Sequence, residues 1–424
     1  MNKTRLILGN NAIYSMDSSE TGLNNNVIVC GSSGSGKTFS LVEPRLLEAH
    51  DRSQIIPVTK RRIVDRYRGM LINRGYQVDE LNFVDIKKST VGLDLLNYIH
   101  SYQDITFVAH AIVCANPKKE QSTAADPYWD AASTSLLAAL IAYIMMSDMD
   151  NTATFADVLN LYDQLDIIDG SNGIATTLDD KFDNLKDQVP GCFAITCWNS
   201  FRKLPEKTMR CVFGTLNTAL DTIFTPELRK VFQLPNKVDF KQIGSERHVL
   251  FIVTSAVNTA LHSFVNIFYS LAYRELFEFA EKQPDGKLPV PVDMICDDFA
   301  SGGRMLSFPE YISVFREKDI SATILIQSES QLASMYGEND ATTIINCCDT
   351  YIYLGGMDLQ TSKNVSQRAN LPLDEVLYMP VGREIIFRRG QKPKITTRYS
   401  IMEDERYQEV TRMLEKTPQS GRNR

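Results

Sequence analysis

The chain has 424 residues, a formal net charge of −7 and a hydrophobic content of 43%. This size and composition are typical of a globular protein with two or three domains, and they exclude an intrinsically disordered chain. Proteins that bind nucleic acid over a broad outer surface tend to be basic. The negative net charge of this chain therefore restricts any contact with nucleic acid to a local surface.

Neither the cysteines nor the apolar segments indicate export or membrane insertion. The eight cysteines are scattered without a CxxC pair, which favours a reducing compartment and argues against a zinc site or a disulfide framework. The apolar start of the chain turns polar at Gly9, too early for the core of a signal peptide. The longest apolar segment, Leu136 to Met146, is shorter than the roughly twenty residues that a bilayer crossing needs, so it is predicted to be a buried helix. We therefore expect a cytoplasmic protein.

From residue 26 to about 112 the sequence alternates between strand and helix signals. Apolar strands are predicted at 27–30, 54–57 and 76–83, and a helix is predicted over 63–73. This alternation is typical of a parallel α/β domain.

The most specific motif lies between the first of these strands and the helix that follows it. The run Gly31-Ser32-Ser33-Gly34-Ser35-Gly36-Lys37-Thr38 satisfies G-x-x-x-x-G-K-[ST]. Backbone N–H groups of its glycine-rich turn, and of the helix that starts near Phe39, would converge on one anionic group. Lys37 would reach the β- and γ-phosphates of a nucleoside triphosphate, and the Thr38 hydroxyl would ligate the accompanying Mg²⁺. The sequence thus predicts a nucleotide site formed by residues 31–39.

Strand signals vanish between roughly 120 and 235, where helical periodicity takes over, and this favours an all-helical insertion. They return at 248–254, 292–296, 323–327 and 351–354, and a closing hairpin is predicted from 384–387 to 395–399. The predicted domains are a first part of a nucleotide-binding domain at 1–118, the helical insertion at 119–238, the second part of the nucleotide-binding domain at 239–408, and a flexible tail at 409–424.

Hydrolysis also requires an acid that holds Mg²⁺ and a group that activates or orients water. The apolar strand Met294-Ile295-Cys296 ends in two acids, so we assign Asp297 to the metal and Asp298 to the general base. Gln327 ends the next strand signal, where it would sense the γ-phosphate. Arg316 lies between these motifs and is a candidate for an arginine finger that acts on a neighbouring subunit.

Each of these residues also has a purely structural explanation. A pair of acids at a strand end is often a solvated turn or a helix cap, and Gln327 is equally a strand-end amide. The glycine-rich loop upstream in the same α/β pattern favours the functional interpretation of the acids. For Arg316, a surface salt bridge is at least as well supported.

With these residues in place, the chain resembles a type IV secretion system coupling protein of the TraG type, a conjugal DNA transfer ATPase, over nearly its whole length. Several matches are independent of the glycine-rich loop, and those from Gln327 onward are far more specific than that loop. The matching segments are Leu23-Asn24-Asn25-Asn26-Val27, Asp126-Pro127-Tyr128-Trp129, Asp297-Asp298-Phe299-Ala300, Gln327-Ser328-Glu329-Ser330-Gln331-Leu332 with Tyr336-Gly337, and Asn346-Cys347-Cys348-Asp349-Thr350 with Leu354-Gly355-Gly356.

The resemblance implies a RecA-like P-loop NTPase with a mostly parallel central sheet, interrupted by the helical insertion, and it implies ATP and Mg²⁺ as cofactors. It implies that Lys37 contacts the phosphates, that Thr38 and Asp297 hold the metal, and that Arg316 acts across a subunit boundary. It also implies a homohexameric ring whose channel carries single-stranded DNA, with its bound relaxase, to other components of the secretion channel at the cytoplasmic face of the bacterial inner membrane.

Three departures from the family pattern bear on activity. The family usually has Asp-Pro-Lys-Gly after its second strand, whereas Pro57-Val58-Thr59-Lys60-Arg61 keeps only Lys60. Asp298 stands in place of the usual Glu, and the shorter side chain can misplace the attacking water by about 1 Å and slow hydrolysis about a hundredfold. The N-terminal membrane helices of the family are absent, so we expect a membrane tether through a partner or through a missing N-terminal segment.

Two alternatives to a DNA-translocating ATPase therefore stay open. One is a nucleotide-gated module that docks cargo through the helical insertion and hydrolyses little ATP. The other is a double-stranded DNA pump of the FtsK/HerA type, which shares the ring and the P-loop. The Asp126-Pro127-Tyr128-Trp129 segment and the stretch from Gln327 to Leu332 argue against the pump.

Overall fold

The structure, a computed structural model, describes residues 3–115, 127–148, 150, 152–170, 173–255, 257–297, 299 and 304–416 of the chain. Its strands are β1 (Arg5–Gly9), β2 (Ala12–Ser15), β3 (Val27–Cys30), β4 (Ser53–Val58), β5 (Gln77–Asn82), β6 (Ile167–Gly170), β7 (Gly173–Thr176), β8 (His248–Val253), β9 (Val292–Cys296), β10 (Ile320–Ile326), β11 (Thr350–Tyr353), β12 (Arg383–Arg388) and β13 (Lys394–Thr397).

The helices, in chain order, are α1 (Ser18–Thr21), α2 (Glu43–Leu47), α3 (Arg62–Asn73), α4 (Tyr102–Cys114), α5 (Pro127–Ser147), α6 (Phe155–Tyr162), α7 (Asp179–Gln188), α8 (Phe193–Arg202), α9 (Glu206–Ile223), α10 (Pro226–Arg229), α11 (Phe240–Ser245), α12 (Thr259–Glu281), α13 (Phe308–Val314), α14 (Glu329–Tyr336), α15 (Glu338–Asn346), α16 (Leu359–Ala369), α17 (Leu373–Leu377) and α18 (Glu405–Lys416).

The central sheet has nine strands in the order β13-β12-β11-β3-β10-β9-β4-β8-β5. The strands from β11 to β5 run parallel, and β12 and β13 pair antiparallel at one edge. Runs such as β8 and β10 are buried at every residue, because helices cover both faces of a parallel sheet. The predicted α/β fold with a mostly parallel sheet is confirmed.

Parallel pairing determines which segments meet at the carboxyl edge of this sheet. β3 lies between β11 and β10, and β9 lies beyond β10. The segments that follow these four strands therefore emerge side by side, at the edge where parallel α/β sheets hold their ligands.

The described part of 119–238 departs in one detail from the predicted all-helical composition. It holds α5 to α10, but β6 and β7 form an antiparallel hairpin between α6 and α7. Ile167 is buried and Ile168 is exposed, the alternation of a strand with one covered face. With four residues in each strand, this signal is too short to stand out against the helical pattern around it. The boundaries of the insertion stay a prediction.

Helix α5 contains the longest apolar segment of the sequence. Of the helices that the structure describes, it alone is long and apolar enough to cross a membrane by length and composition, over Tyr128–Ser147, and 50% of its apolar window is buried inside the fold. The side chains from Leu136 to Ala142 are all buried, and α5 packs against α4, α8 and α9. This stretch is the buried part of the helix predicted over Leu136 to Met146.

Helix α18 corrects the predicted tail at 409–424. Residues 409–416 are helical, and the helix packs against α3. Tyr407 and Val410, three residues apart and so on one face, are buried, and the Tyr407 ring contacts Phe39 edge to face at 5.9 Å between ring centroids. Burial of this apolar face holds the segment in place despite its many charges. Residues 417–424 lie outside the described residues.

Glu384, on β12, carries a carboxyl group into the interior of the fold. Its side chain is fully buried, and within the described residues neither carboxyl oxygen has a hydrogen-bond partner. It packs against Gly9 of β1, where a Cβ atom would overlap it. Burial raises the pKa of Glu384 from 4.5 to about 8, although attraction to the Arg398 guanidinium opposes the shift.

This buried carboxyl should make stability fall as the pH rises. The folded protein retains the proton where the unfolded chain releases it, so the contribution of Glu384 is lost between about pH 4.5 and pH 8. We expect Glu384→Gln to unfold near the wild-type temperature at about pH 5 and at an increasingly higher temperature than the wild type up to about pH 8, above which the difference levels off. Thermal unfolding across this range, beside Glu375→Gln at an exposed position of α17, measures the difference. A difference that stays constant with pH would contradict the prediction.

Candidate functional site

The loop from Gly31 to Lys37 leaves the carboxyl end of β3 and folds back on itself. Gly34 and Gly36 have φ angles of 74° and 78°, in the left-handed region that favours glycine. The Ser35 N–H donates to the Ser32 carbonyl oxygen at 3.1 Å and closes the turn. This conformation is available because the two glycines lack a Cβ atom.

The interior of the loop fits a phosphate group. A Cβ atom at Gly31 would lie 2.8 Å from the Leu354 Cβ and 2.9 Å from the Ser35 Oγ, so only glycine fits there. The Ser35 hydroxyl is buried and, within the described residues, has no hydrogen-bond partner. A buried polar atom inside a glycine-lined turn is satisfied by an anion that enters the turn.

Lys37 and Thr38 lie at the end of the loop, where the chain turns into the following helix. The Lys37 ammonium donates to the carbonyl oxygens of Gly31 at 2.6 Å and Ser32 at 3.3 Å, so it lies across the loop. Thr38 begins a π-helical turn, Thr38–Val42, that continues into α2. The half-buried Phe39 ring contacts Tyr407 of α18 edge to face.

Gln327 lies beside the loop. Ile326 pairs with Cys30 across β10 and β3, and the Gly31 N–H donates to the Ile326 carbonyl oxygen at 3.1 Å. Gln327, the next residue, is therefore the lateral neighbour of Gly31, and its side chain is exposed at the carboxyl edge.

Asp297 directly follows β9 at the same edge. β9 is the second strand from β3, so at about 4.8 Å between strands Asp297 lies roughly 10 Å from the line of β3. Its side chain is half-buried, and the nearby Phe299 N–H donates to the Leu325 carbonyl oxygen at 3.1 Å. Loop, acid and amide thus share one edge of the sheet. Asp298 lies outside the described residues.

Arg316 is not part of this group. It precedes β10, whose seven residues span roughly 20 Å, so it lies at the opposite edge of the sheet from the loop. There it lines a cavity of about 320 Å³ with Asp17, Asp51 and Asp319. Its side chain is exposed and, among the residues that the structure describes, its guanidinium forms no hydrogen bond or ion pair.

Two contacts of the loop were not predicted. The Ser32 N–H donates to the Gly355 carbonyl oxygen at 3.1 Å, and the Arg398 guanidinium donates to the Ser35 and Leu354 carbonyl oxygens at 2.5 and 2.6 Å. The glycine pair after β11 is a sequence signal for the first contact, because it permits close approach of two backbones. No local pattern indicates Arg398, which is 363 residues away from Ser35.

Solved structures share this fold. The plasmid coupling protein TrwB in complex with a non-hydrolysable ATP analogue is 16% identical, with a TM-score of 0.66 over 88% of this chain and 85% of that chain. The unbound monoclinic form of the bacterial conjugative coupling protein TrwBdeltaN70 is 15% identical, with a TM-score of 0.67 over 94% and 88% of the two chains. VirB4 of Thermoanaerobacter pseudethanolicus is 11% identical, with a TM-score of 0.55 over 95% and 98%. These likenesses confirm the predicted P-loop NTPase fold.

The sequence comparisons address the family. A search of curated proteins finds no match. The model of the family described as Type IV secretory system Conjugative DNA transfer matches residues 1–367, most of the chain, and the predicted resemblance to type IV coupling proteins is confirmed. The protein therefore belongs to the type IV secretory system conjugative DNA transfer family.

Proposed function

We propose that this protein binds and hydrolyses ATP and uses the energy to drive single-stranded DNA, with its relaxase, to a type IV secretion channel during conjugation. The observation that carries the proposal is the meeting of the glycine-rich loop, Asp297 and Gln327 at one edge of the sheet. A phosphate cradle, a metal-holding acid and a polar group beside them are the parts that phosphoryl transfer to water needs.

The side chains take distinct roles in this site. The amides of the loop and the Lys37 ammonium hold the phosphates, and Thr38 and Asp297 hold Mg²⁺. Gln327 orients water toward the terminal phosphate, and Asp298, from its position in the sequence, accepts the proton of that water. Bound ATP supplies the anhydride whose cleavage releases the energy.

We further propose a homohexameric ring in which Arg316 completes the site of the neighbouring subunit. The position of Arg316 supports this role, because it lies too far from its own loop to act there. Its exposed guanidinium, without an ion pair among the described residues, is available to a phosphate held by another subunit.

Membership of the family supports the proposed cargo and location. We propose that residues 119–238 form the insertion that recruits the relaxase, between the two parts of the nucleotide-binding domain at 1–118 and 239–408. The ring then works at the cytoplasmic face of the bacterial inner membrane, beside the other channel components, tethered through a partner or an N-terminal segment.

A second candidate function is a nucleotide-gated docking module. Asp298 in place of Glu and Val58 in place of the usual Asp favour it, because both changes fall on groups near the nucleotide in the family pattern. Such a module binds ATP and cargo but hydrolyses too slowly to pump. A pump for double-stranded DNA is the third candidate, and the family match to conjugative DNA transfer makes it the weakest.

Turnover should depend on Lys37, on protein concentration and on DNA. We expect an ATPase rate per subunit that rises with protein concentration and with single-stranded DNA, and that falls by about a hundredfold or more in Lys37→Ala, because the phosphates lose their main charge partner. Steady-state phosphate release measures this, with Lys241→Ala at an exposed position of α11 as the control. Normal turnover in Lys37→Ala would rule out the assigned site, and preferential stimulation by double-stranded DNA would favour the pump.

The length of the acidic side chain at residue 298 should distinguish the two leading candidate functions, the DNA-translocating ATPase (the motor) and the docking module. If Asp298 holds water slightly out of place, Asp298→Glu should raise the single-turnover rate about tenfold or more, without a change in ATP affinity. That rise from a negligible wild-type rate would support the docking module. Rapid ATP turnover by the wild type that Asp298→Glu does not increase would support the motor.

Rings that contain two different variants should test whether Arg316 acts on the site of the neighbouring subunit. Arg316→Ala alone should lose about a thousandfold in rate, as expected for an arginine finger supplied in trans. A one-to-one mixture with Lys37→Ala should recover about a quarter of the wild-type rate, because one intact loop then faces one intact arginine in that share of sites. Phosphate release from the mixture, compared with the sum of the separate proteins, gives the answer. A mixture no more active than that sum would exclude the trans role.

A further inference from the structure

Arg398 reaches the phosphate-binding loop from the far end of the chain. Its Nη1 donates to the Ser35 carbonyl oxygen at 2.5 Å, and its Nη2 donates to the Leu354 carbonyl oxygen at 2.6 Å. Nη1 also lies 3.9 Å from the place where a Cβ atom at Gly36 would be. A guanidinium group is thus in contact with the turn that precedes Lys37.

The backbone around Arg398 fixes this position. Arg398 directly follows β13, and its N–H donates to the Gly382 carbonyl oxygen at 2.8 Å, just before β12. The hairpin β12–β13 extends the sheet beyond β11. The side chain therefore approaches the loop over β11, whereas Gln327 and Asp297 approach it from the β10 side.

The charge of Arg398 has no ionic partner in hydrogen-bond contact among the described residues. Both of its bonds are to neutral carbonyl oxygens, and its Nε is buried without a hydrogen-bond partner. The acid that attracts it, Glu384, is buried and has no hydrogen bond to it. A half-buried guanidinium with spare N–H groups is a site for a phosphate oxygen.

We propose that Arg398 is a nucleotide-binding residue whose guanidinium binds the phosphates that ATP and ADP share. This inference rests on the proposed nucleotide site. The γ-phosphate belongs beside Asp297 and Gln327, on the β10 side, so a cation on the β11 side meets the other end of the phosphate chain. Arg398 and Lys37 then neutralise the phosphates from two sides.

The test is equilibrium binding of a fluorescent ADP and a fluorescent non-hydrolysable ATP analogue, with Mg²⁺, to the full chain. Arg398→Gln should weaken both about tenfold, and to the same extent, because one charge-assisted hydrogen bond to a shared phosphate is lost. Arg398→Lys should restore part of the affinity, and the salt dependence of binding should decrease in the Gln variant. Arg383→Gln, exposed and opposite Thr397 in the same hairpin, is the matched control and should bind as the wild type does.

The possible results separate this inference from a structural role and from the proposed function. Unchanged affinity in Arg398→Gln would overturn it, and so would a loss confined to the ATP analogue, which would place the contact on the γ-phosphate. A loss that Lys does not relieve, accompanied by a lower melting temperature of the nucleotide-free protein, would make Arg398 a support of the loop and also overturn it. If the wild type and Arg383→Gln bound neither nucleotide, the proposed function itself would fail.

Discussion

The parallel pairing of β3 with β10 on one side and β11 on the other is the constraint on which the candidate site depends. A strand between two parallel neighbours sends its following loop out at the same edge as theirs. The backbone bonds from Gly31 to Ile326 and from Ser32 to Gly355 extend this pairing past the strand ends. The loop is therefore held on both sides before any nucleotide arrives, and the glycines within it determine its curvature.

A buried ion pair beneath the sheet ties the helix after the loop to the strands that carry the acid and the amide. Arg45 of α2 donates to Asp293 of β9 at 3.0 Å and to Thr323 of β10 at 3.1 Å. Arg45 and Asp293 are 3% and 0% exposed, so removal of either partner alone would leave an uncompensated buried charge and cost about 3–5 kcal/mol. The loop, Asp297 and Gln327 thus sit on elements that cannot shift independently.

Local signals were enough to predict the strands of the sheet and the residues of the loop. Apolar runs such as β3 and β8 are buried on both faces, and that requirement is visible in the sequence itself. The hairpin β1–β2 is not among the predicted strands, because neither of these short strands alternates clearly between apolar and polar residues; Asn11, with a φ of 57°, lies in the turn between them. Contacts such as that between Arg398 and Ser35 join residues far apart in the chain, so no short sequence pattern predicts them.

The order of the strands in the sheet differs from their order in the chain, and this has a consequence during synthesis. β3 and the loop are complete by residue 38, but their two neighbours, β10 and β11, begin only at residues 320 and 350. At about 5 to 20 residues per second, the ribosome needs about 15 to 60 s to add those residues. Throughout that interval the apolar β3 has neither of its partner strands, which exposes it to aggregation, and the loop reaches its final position only in a nearly complete chain.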